Sequence, residues 1–192
     1  MAARAAGKLR VIGGQWRSRI IDFDAADGVR ATPDRVRQTV YDWLQLNIHG
    51  ARVLDLFAGS GAMGIEALSR GAAQCTFVDK GAAQIARIQN TLTTFKADPG
   101  RYLLQRQDSP LFLQHAAANG TPAFDVVLID PPFDSALREQ VLALLPPLLR
   151  AHHRILLEWP SHSAPELPAG YTWLKQKQAG QVGYGLLTYS QP

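Results

Sequence analysis

Four aspartates stand where short apolar or β-rich runs end: Asp55 after "RVL", Asp79 after "CTFV", Asp108 after "YLLQRQ" and Asp130 after "DVVLI". Between the first two lies Gly59-Ser60-Gly61-Ala62-Met63-Gly64, a G-x-G-x-x-G loop joining a strand pattern to a helix pattern. Glycines let the backbone turn sharply and approach a ligand closely, and the N-terminus of the following helix favours an anion. That pattern alone would suit a dinucleotide. Asp55 argues otherwise, because a carboxylate four residues before the first glycine opposes a pyrophosphate and suits a cationic amino group. Asp79 is placed to accept from both hydroxyls of a ribose, and Asp108 from the amino group of an adenine. Acids at the C-terminal ends of consecutive strands converge on the crevice where such sheets bind ligands. An adenosine-type cofactor, S-adenosylmethionine rather than NAD, is the expectation. Its expected contacts are Asp55, Phe57, Ala58, Gly59, Ser60, Gly61, Asp79, Lys80, Asp108 and Ser109.

The fourth acid opens the stretch Asp130-Pro131-Pro132-Phe133. An exocyclic amine of a nucleic-acid base is conjugated with its ring and is a poor nucleophile. A carboxylate and a backbone carbonyl that accept its two hydrogens would free its lone pair and aim it at an electrophilic methyl group. Proline suits the positions after the acid, since it fixes φ and holds that carbonyl in place. Pro132 further biases Pro131 toward an extended conformation. An aromatic ring at Phe133 can stack on a base extruded from its helix. Taken alone, Asp-Pro is also a common turn start. On the fourth strand of this arrangement, the methyl-transfer reading is the stronger one, with Asp130, Pro131, Pro132 and Phe133 as the catalytic group.

Positioning these residues requires a sheet. From Arg52 onward, strand-like runs alternate with helical patterns such as "GIEALSR" and "AAQIARIQNTLTTF". Strand–helix alternation predicts a doubly wound α/β fold with a parallel sheet covered on both faces. After "ILLEWP" and a Pro-rich loop, "YTWLKQK" and "GYGLLTY" flank "QAGQV", which predicts a terminal antiparallel hairpin. Upstream, "TPDRVRQTVYDWLQLNI" reads as a helix with Thr32 as its cap and Pro33 at its first position. Val36, Val40, Trp43 and Leu44 form its apolar stripe. "KLRVIGGQWRSRIIDF" reads as two short strands around Gly13-Gly14. The expected division is a basic N-terminal hairpin over residues 1–30 and a main domain over 31–192.

The chain has 192 residues, a formal net charge of +4 and one cysteine, Cys75. That length buries a sizeable core without disulfides, and the lone cysteine suits a reducing compartment. No apolar run approaches the ~20 residues of a membrane span, and "MAARAAGKLR" lacks the apolar stretch of a secretory signal. A cytoplasmic protein is the expectation. Residues 1–40 hold eight Lys and Arg against four acids, so the net positive charge sits in this first part of the chain. Clustered cations beside a near-neutral body suit a phosphate-binding arm, and equally a basic, solvated extension. The candidate RNA contacts are Lys8, Arg10, Trp16, Arg17, Arg19, Arg35 and Arg37. With "QWRSRII" as a strand, Arg17 and Arg19 would share one face. Trp16 would either pack under the hairpin or stack on a base. The five histidines show no metal-ligand spacing, and no metal is expected.

These segments together resemble a family. The acid, the Gly-x-Gly loop, the second-strand acid and "DPPF" resemble the class I S-adenosylmethionine-dependent methyltransferases, whose fold is a seven-stranded Rossmann-like sheet. "RVIGGQWRSRII", "RATPDRVRQTVYDWL", "LDLFAGSGAMGIEALSRGA", "IDPPF" and "KQAGQVGYGLLTY" resemble, in order and over nearly the full length, the RsmD family. That resemblance implies methylation of guanine N2 at one site in 16S ribosomal RNA; the expected substrate lies within a 30S subunit or an assembly intermediate, and the expected oligomeric state is a monomer. Asp79 departs slightly, since the family often has Glu there, and Asn also appears where this chain has Asp108. Two rivals remain. A DNA adenine or cytosine amino-methyltransferase shares "DPPF" but usually needs a large target-recognition domain, for which this chain has no room. A non-catalytic RNA-binding module is opposed by the intact "DPPF".

Overall fold

The computed structural model describes residues 6–24, 32–120, 123–132 and 135–191. A small antiparallel pair, β1 (Ala6–Arg10) and β2 (Ile20–Asp24), precedes helix α1 (Asp34–Trp43). Strand–helix alternation then runs β3 (Arg52–Asp55), α2 (Ala62–Ser69), β4 (Gln74–Asp79), α3 (Ala82–Thr94), β5 (Tyr102–Arg106), α4 (Ser109–Ala118), β6 (Phe124–Ile129) and α5 (Ser135–Leu144). It closes with β7 (Leu149–Pro160), β8 (Tyr171–Ala179) and β9 (Val182–Tyr189). The seven strands lie in the order β5-β4-β3-β6-β7-β9-β8. β9 runs antiparallel to both its neighbours and the others run parallel. This is the doubly wound α/β sheet with a terminal hairpin that the sequence predicts.

Strand order reverses beside β3, between β4 and β6, which opens a crevice at the C-terminal strand ends. Alternate side chains feed two core layers. Val53, Phe77, Val126, Leu128 and Leu156 face α1, α2 and α3, where they meet Val40, Leu68 and Ile88. Leu54, Val78, Val127, Ile129 and Leu157 face α4 and α5, where they meet Leu113, Val141 and Leu142. Each such side chain contributes roughly 1.5–3 kcal/mol by leaving water. Two full layers therefore hold the sheet without a disulfide, and Cys75 is a free, buried member of the first layer.

The N-terminal pair departs from the simple hairpin expectation. Gly14–Trp16 form a 3-10 turn and Ser18 has φ 70°, so "QWRSRII" becomes a strand only at Ile20. The cause is the docking of this connection onto α2. A Cβ at Gly14 would lie 1.9 Å from the Ser69 carbonyl oxygen, an approach only glycine permits. Trp16 donates its backbone N–H to Ser69 Oγ at 2.9 Å, and Ser69 Oγ donates to the Gly13 carbonyl at 2.6 Å. The wholly buried Glu66 carboxylate accepts from the amides of Ile12 and Gly13, both at 2.8 Å, and from Arg70 Nε at 2.7 Å.

Helix α1 also starts differently from the expectation. It begins at Asp34 after Pro33, and no side-chain cap bond is made. The Thr32 hydroxyl instead donates to Glu158 Oε1 at 3.2 Å, across to β7.

Candidate active site

The glycine loop is built backward from its packing. A Cβ at Gly64 would lie 2.3 Å from the Phe77 ring, so its absence lets α2 sit directly on β4. Gly59 (φ 51°) and Gly61 (φ 75°) take left-handed conformations, and Gly61 ends the loop as the N-cap of α2. The chain just before them is pinned by Ala58 N–H donating to the Val78 carbonyl at 3.0 Å. Gly59 N–H donates to Asp79 Oδ2 and Gly81 N–H to Asp79 Oδ1, each at 2.8 Å. Two amides thus orient the Asp79 carboxylate, which keeps lone pairs for ribose hydroxyls.

Asp55 lies beneath the same loop and accepts from Gly64 N–H at 2.9 Å. Burial pushes its carboxyl up to about 7 from an ordinary 3.8, the Gly64 hydrogen bond opposes the rise, and the Asp130 and Asp79 carboxylates add to it. Such a group is stabilised by a cation. A ligand carrying an ammonium or sulfonium charge therefore fits this half of the crevice, and the residues present suit S-adenosylmethionine.

The other half of the crevice is carried by β6 and β7. One cleft, enclosing about 420 Å³ of free space that is partly open to solvent, is lined by Thr32, Asp55, Phe57, Ala58, Gly59, Ser60, Ala62, Met63, Leu128, Ile129, Asp130, Leu156 and Glu158. Asp130 is half-buried at its edge, Pro131 is buried and Pro132 exposed. Phe133 lies outside the described residues. The sequence reading missed Glu158 and the use of Thr32. The available signal was an acid inside the apolar run "ILLEW", one strand over from Asp130.

Other expected residues fall less centrally. Asp108 is exposed and caps α4, accepting from Leu111 N–H at 3.4 Å. Ser109 is buried, and its hydroxyl donates to the Leu56 carbonyl at 2.5 Å. Lys80 is exposed beside Asp79.

Of the candidate RNA contacts, Lys8, Arg10, Arg17 and Arg35 are exposed. Two others, the buried Trp16 and Arg37, are corrected, and Arg19 is half-buried. Trp16 is buried against Phe95, with ring centroids 5.5 Å apart, so it packs and does not stack on a base. Arg19 lies over the same Phe95 ring and donates to the carbonyls of Phe95 and Thr94 at the end of α3, at 3.2 and 2.7 Å. Arg37 is wholly buried, bonded to the Arg10 carbonyl at 2.8 Å and Asp34 Oδ1 at 2.6 Å, with Glu66 at 3.8 Å. It is a structural cation and cannot reach a phosphate.

Among the described residues no group of three or more His, Cys, Asp or Glu side chains could hold a metal. No helix among them is long and apolar enough to cross a membrane.

The family described as "Conserved hypothetical protein 95" matches residues 9–188. The chain belongs to this family. It is 39% identical over 183 residues to "Ribosomal RNA small subunit methyltransferase D" of Escherichia coli, covering 94% of this chain and 89% of that protein. The Haemophilus influenzae protein of the same name is 37% identical over 184 residues, covering 95% and 94%. The solved structure of yhhF from Escherichia coli superposes with a TM-score of 0.81 at 34% identity, over 95% of this chain and 98% of that one. The RsmD-family resemblance and the seven-stranded methyltransferase fold both hold.

Proposed function

We propose that this family member transfers a methyl group from S-adenosylmethionine to the exocyclic N2 of a guanine in small-subunit ribosomal RNA. The observation that carries the reading is the meeting, in one cleft, of the glycine loop with Asp55 and of Asp130 at the end of the fourth strand. The names of the curated relatives support the substrate class.

S-adenosylmethionine supplies a methyl carbon bonded to a sulfonium. Asp55 balances the donor's positive charge, Asp79 takes the ribose, and the Phe57–Gly61 segment gives the donor a close backbone wall. Asp130 accepts a hydrogen from the guanine amine, which raises the electron density on N2 and orients its lone pair. When the N–C bond forms and the C–S bond breaks, the surplus amine proton passes to Asp130 or to solvent. Pro131 holds the adjoining backbone rigid. The exposed Lys8, Arg10, Arg17 and Arg35 contact RNA phosphates, which position a substrate without reading its sequence. The substrate is the 16S RNA within a 30S subunit or an assembly intermediate.

The test is to incubate the protein with labelled methyl donor and, separately, naked small-subunit RNA, assembled subunits and duplex DNA, then map the modified nucleotide. Label in N2-methylguanine at one RNA position supports the reading. Label in adenine or cytosine of DNA, or none in any substrate, overturns it.

A further inference from the structure

We infer that Lys175 and Lys177 of β8, gathered over Trp43, form a second phosphate-binding surface for the substrate RNA, on the α1 side of the sheet beside the cleft. This rests on the RNA reading above and names the face along which the RNA leaves the crevice.

β8 is the last strand of the sheet, and Leu174 to Gln178 are exposed along it. An extra residue between Trp173 and Lys175 resets the alternation of the strand. Trp173 therefore packs with the layer under α4 and α5. Lys175 and Lys177 instead lie opposite Leu186 and Tyr184, both buried in the layer under α1. That apolar layer ends at β9, and two ammonium groups follow it on the next strand. Tyr184 also lies opposite Glu158, so Lys177, Tyr184 and Glu158 form one row across β8, β9 and β7. Glu158 lines the cleft. Two strand spacings separate the backbones of Lys177 and Glu158, about 10 Å.

Trp43, in the last turn of α1, stacks on Tyr184 with ring centroids 5.6 Å apart. Lys175 Nζ and Lys177 Nζ each lie 5.9 Å from the centroid of the Trp43 ring. Two like charges drawn to one ring repel each other, and the negative face of the indole offsets this only in part. Among the described residues neither lysine forms an ion pair. Asp42, next to Trp43, accepts from Gln38 Nε2 at 2.6 Å instead. A bound anion completes such an arrangement. Lysines that only keep an edge strand from pairing with another sheet do so without converging. The occupant is RNA, because the row that holds Lys177 opens on the cleft that takes the target nucleotide. The phosphates flanking that nucleotide are the polyanion within reach, and ammonium groups hold phosphates as point charges without reading sequence.

The experiment uses the full chain and whichever small-subunit substrate it methylates, naked RNA or assembled subunits. Lys175→Gln with Lys177→Gln should raise KM several-fold and make the salt dependence of binding shallower by about one to two units of slope. Turnover at saturating substrate and affinity for S-adenosylhomocysteine should stay unchanged, because neither lysine lines the cleft. Lys175→Arg with Lys177→Arg keeps both charges and should keep the wild-type slope. If the lysines only protect the edge, the glutamine variant keeps its KM and slope and self-associates in sedimentation, which overturns the proposal. Should that variant fold poorly, wild type alone decides. Bound substrate should shield Lys175 and Lys177 from an amine-acylating reagent read by mass spectrometry, and equal labelling with and without substrate overturns the proposal. Ultraviolet crosslinking of the bound complex should attach nucleotide at this patch, and a peptide attached in its place overturns the RNA assignment. Failure of wild type to methylate any small-subunit RNA overturns the parent reading. An unaltered slope in a protein that does methylate it overturns this one alone.

Discussion

Gly59 donates its backbone N–H to Asp79 Oδ2 at 2.8 Å, joining the glycine loop to the end of the next strand. The loop's shape and the acid assigned to the ribose are therefore one unit. Asp79→Ala leaves the Gly59 and Gly81 amides without their acceptor and removes the ribose contact. Calorimetry with S-adenosylhomocysteine should show affinity weakened by about 10- to 100-fold, roughly 1.4–2.7 kcal/mol. Chemical denaturation should show about 1–3 kcal/mol of lost stability as well. Cofactor affinity within twofold of wild type would contradict the shared role.

Asp130 should behave oppositely. It is assigned to the target amine, so its loss appears in the transition state and not in donor binding. Asp130→Ala should keep S-adenosylhomocysteine affinity while kcat/KM for methyl transfer falls by about 100-fold or more. Transfer within a few-fold of wild type would remove Asp130 from the chemistry.

Asp55 makes donor binding depend on pH. Its carboxyl ionises near 7 in the free protein, and a cationic ligand draws that value down. Binding then releases a proton, so affinity should be full above pH 7 and weaken by up to about tenfold per unit below it. The stability of the free protein runs the other way. The folded state holds its proton more tightly than the unfolded chain, so Asp55 costs stability progressively as pH rises from about 4 to about 7. Asp55→Asn should flatten both profiles. A pH-independent wild-type affinity between 5.5 and 8, measured at about half-unit steps, would sink the charge-balancing role.

How much of this was legible depended on whether the signal was local. Acids at the ends of β3, β4 and β6 followed directly from apolar runs, and the turn between β8 and β9 from "AGQ" between two β-rich segments. Glu158 was hidden because its run reads as a buried strand. Its place beside Asp130 in the cleft appears only when β7 is set in register against β6. Arg37 was misread for a related reason. On α1 it follows Val36 and looks like a charged flank, yet its burial depends on Glu66 of α2 and the Arg10 carbonyl of β1. The period-two reading of "QWRSRII" failed because Gly14 sits against Ser69 and bends the chain there.

Glu66 gives a stability test of that buried cluster. Glu66→Ala removes the acceptor for two loop amides and for Arg70 Nε, and leaves the buried Arg37 guanidinium with Asp34 alone as its close carboxylate. The expected loss is about 3–5 kcal/mol, typical of a buried pair broken on one side. Urea denaturation monitored at the tryptophans should report it. A loss below 1 kcal/mol, about the value of an exposed ion pair, would mean the cluster relaxes to admit water.

On the N-terminal surface, Lys8 and Arg10 alternate on β1 and both are exposed. Their double replacement by alanine should raise the RNA KM and make the salt dependence of binding shallower by roughly one to two units of slope. Arg19→Ala should leave that slope unchanged and lower stability, because Arg19 holds the end of α3. An unchanged slope in the Lys8/Arg10 variant would take β1 off the RNA path.

The placement of β9 between β7 and β8 has a kinetic consequence. During synthesis β8 leaves the ribosome before β9, yet in the finished sheet β8 touches only β9. Until residues 182–189 arrive, β7 is an open edge whose natural neighbour does not yet exist, and β8 is the nearest strand able to pair with it wrongly. The backbone opposite Glu158 is Tyr184. The β7 edge of the crevice is therefore completed last, by the strand that must displace any premature β7–β8 pairing, and this step is the expected slow phase of folding.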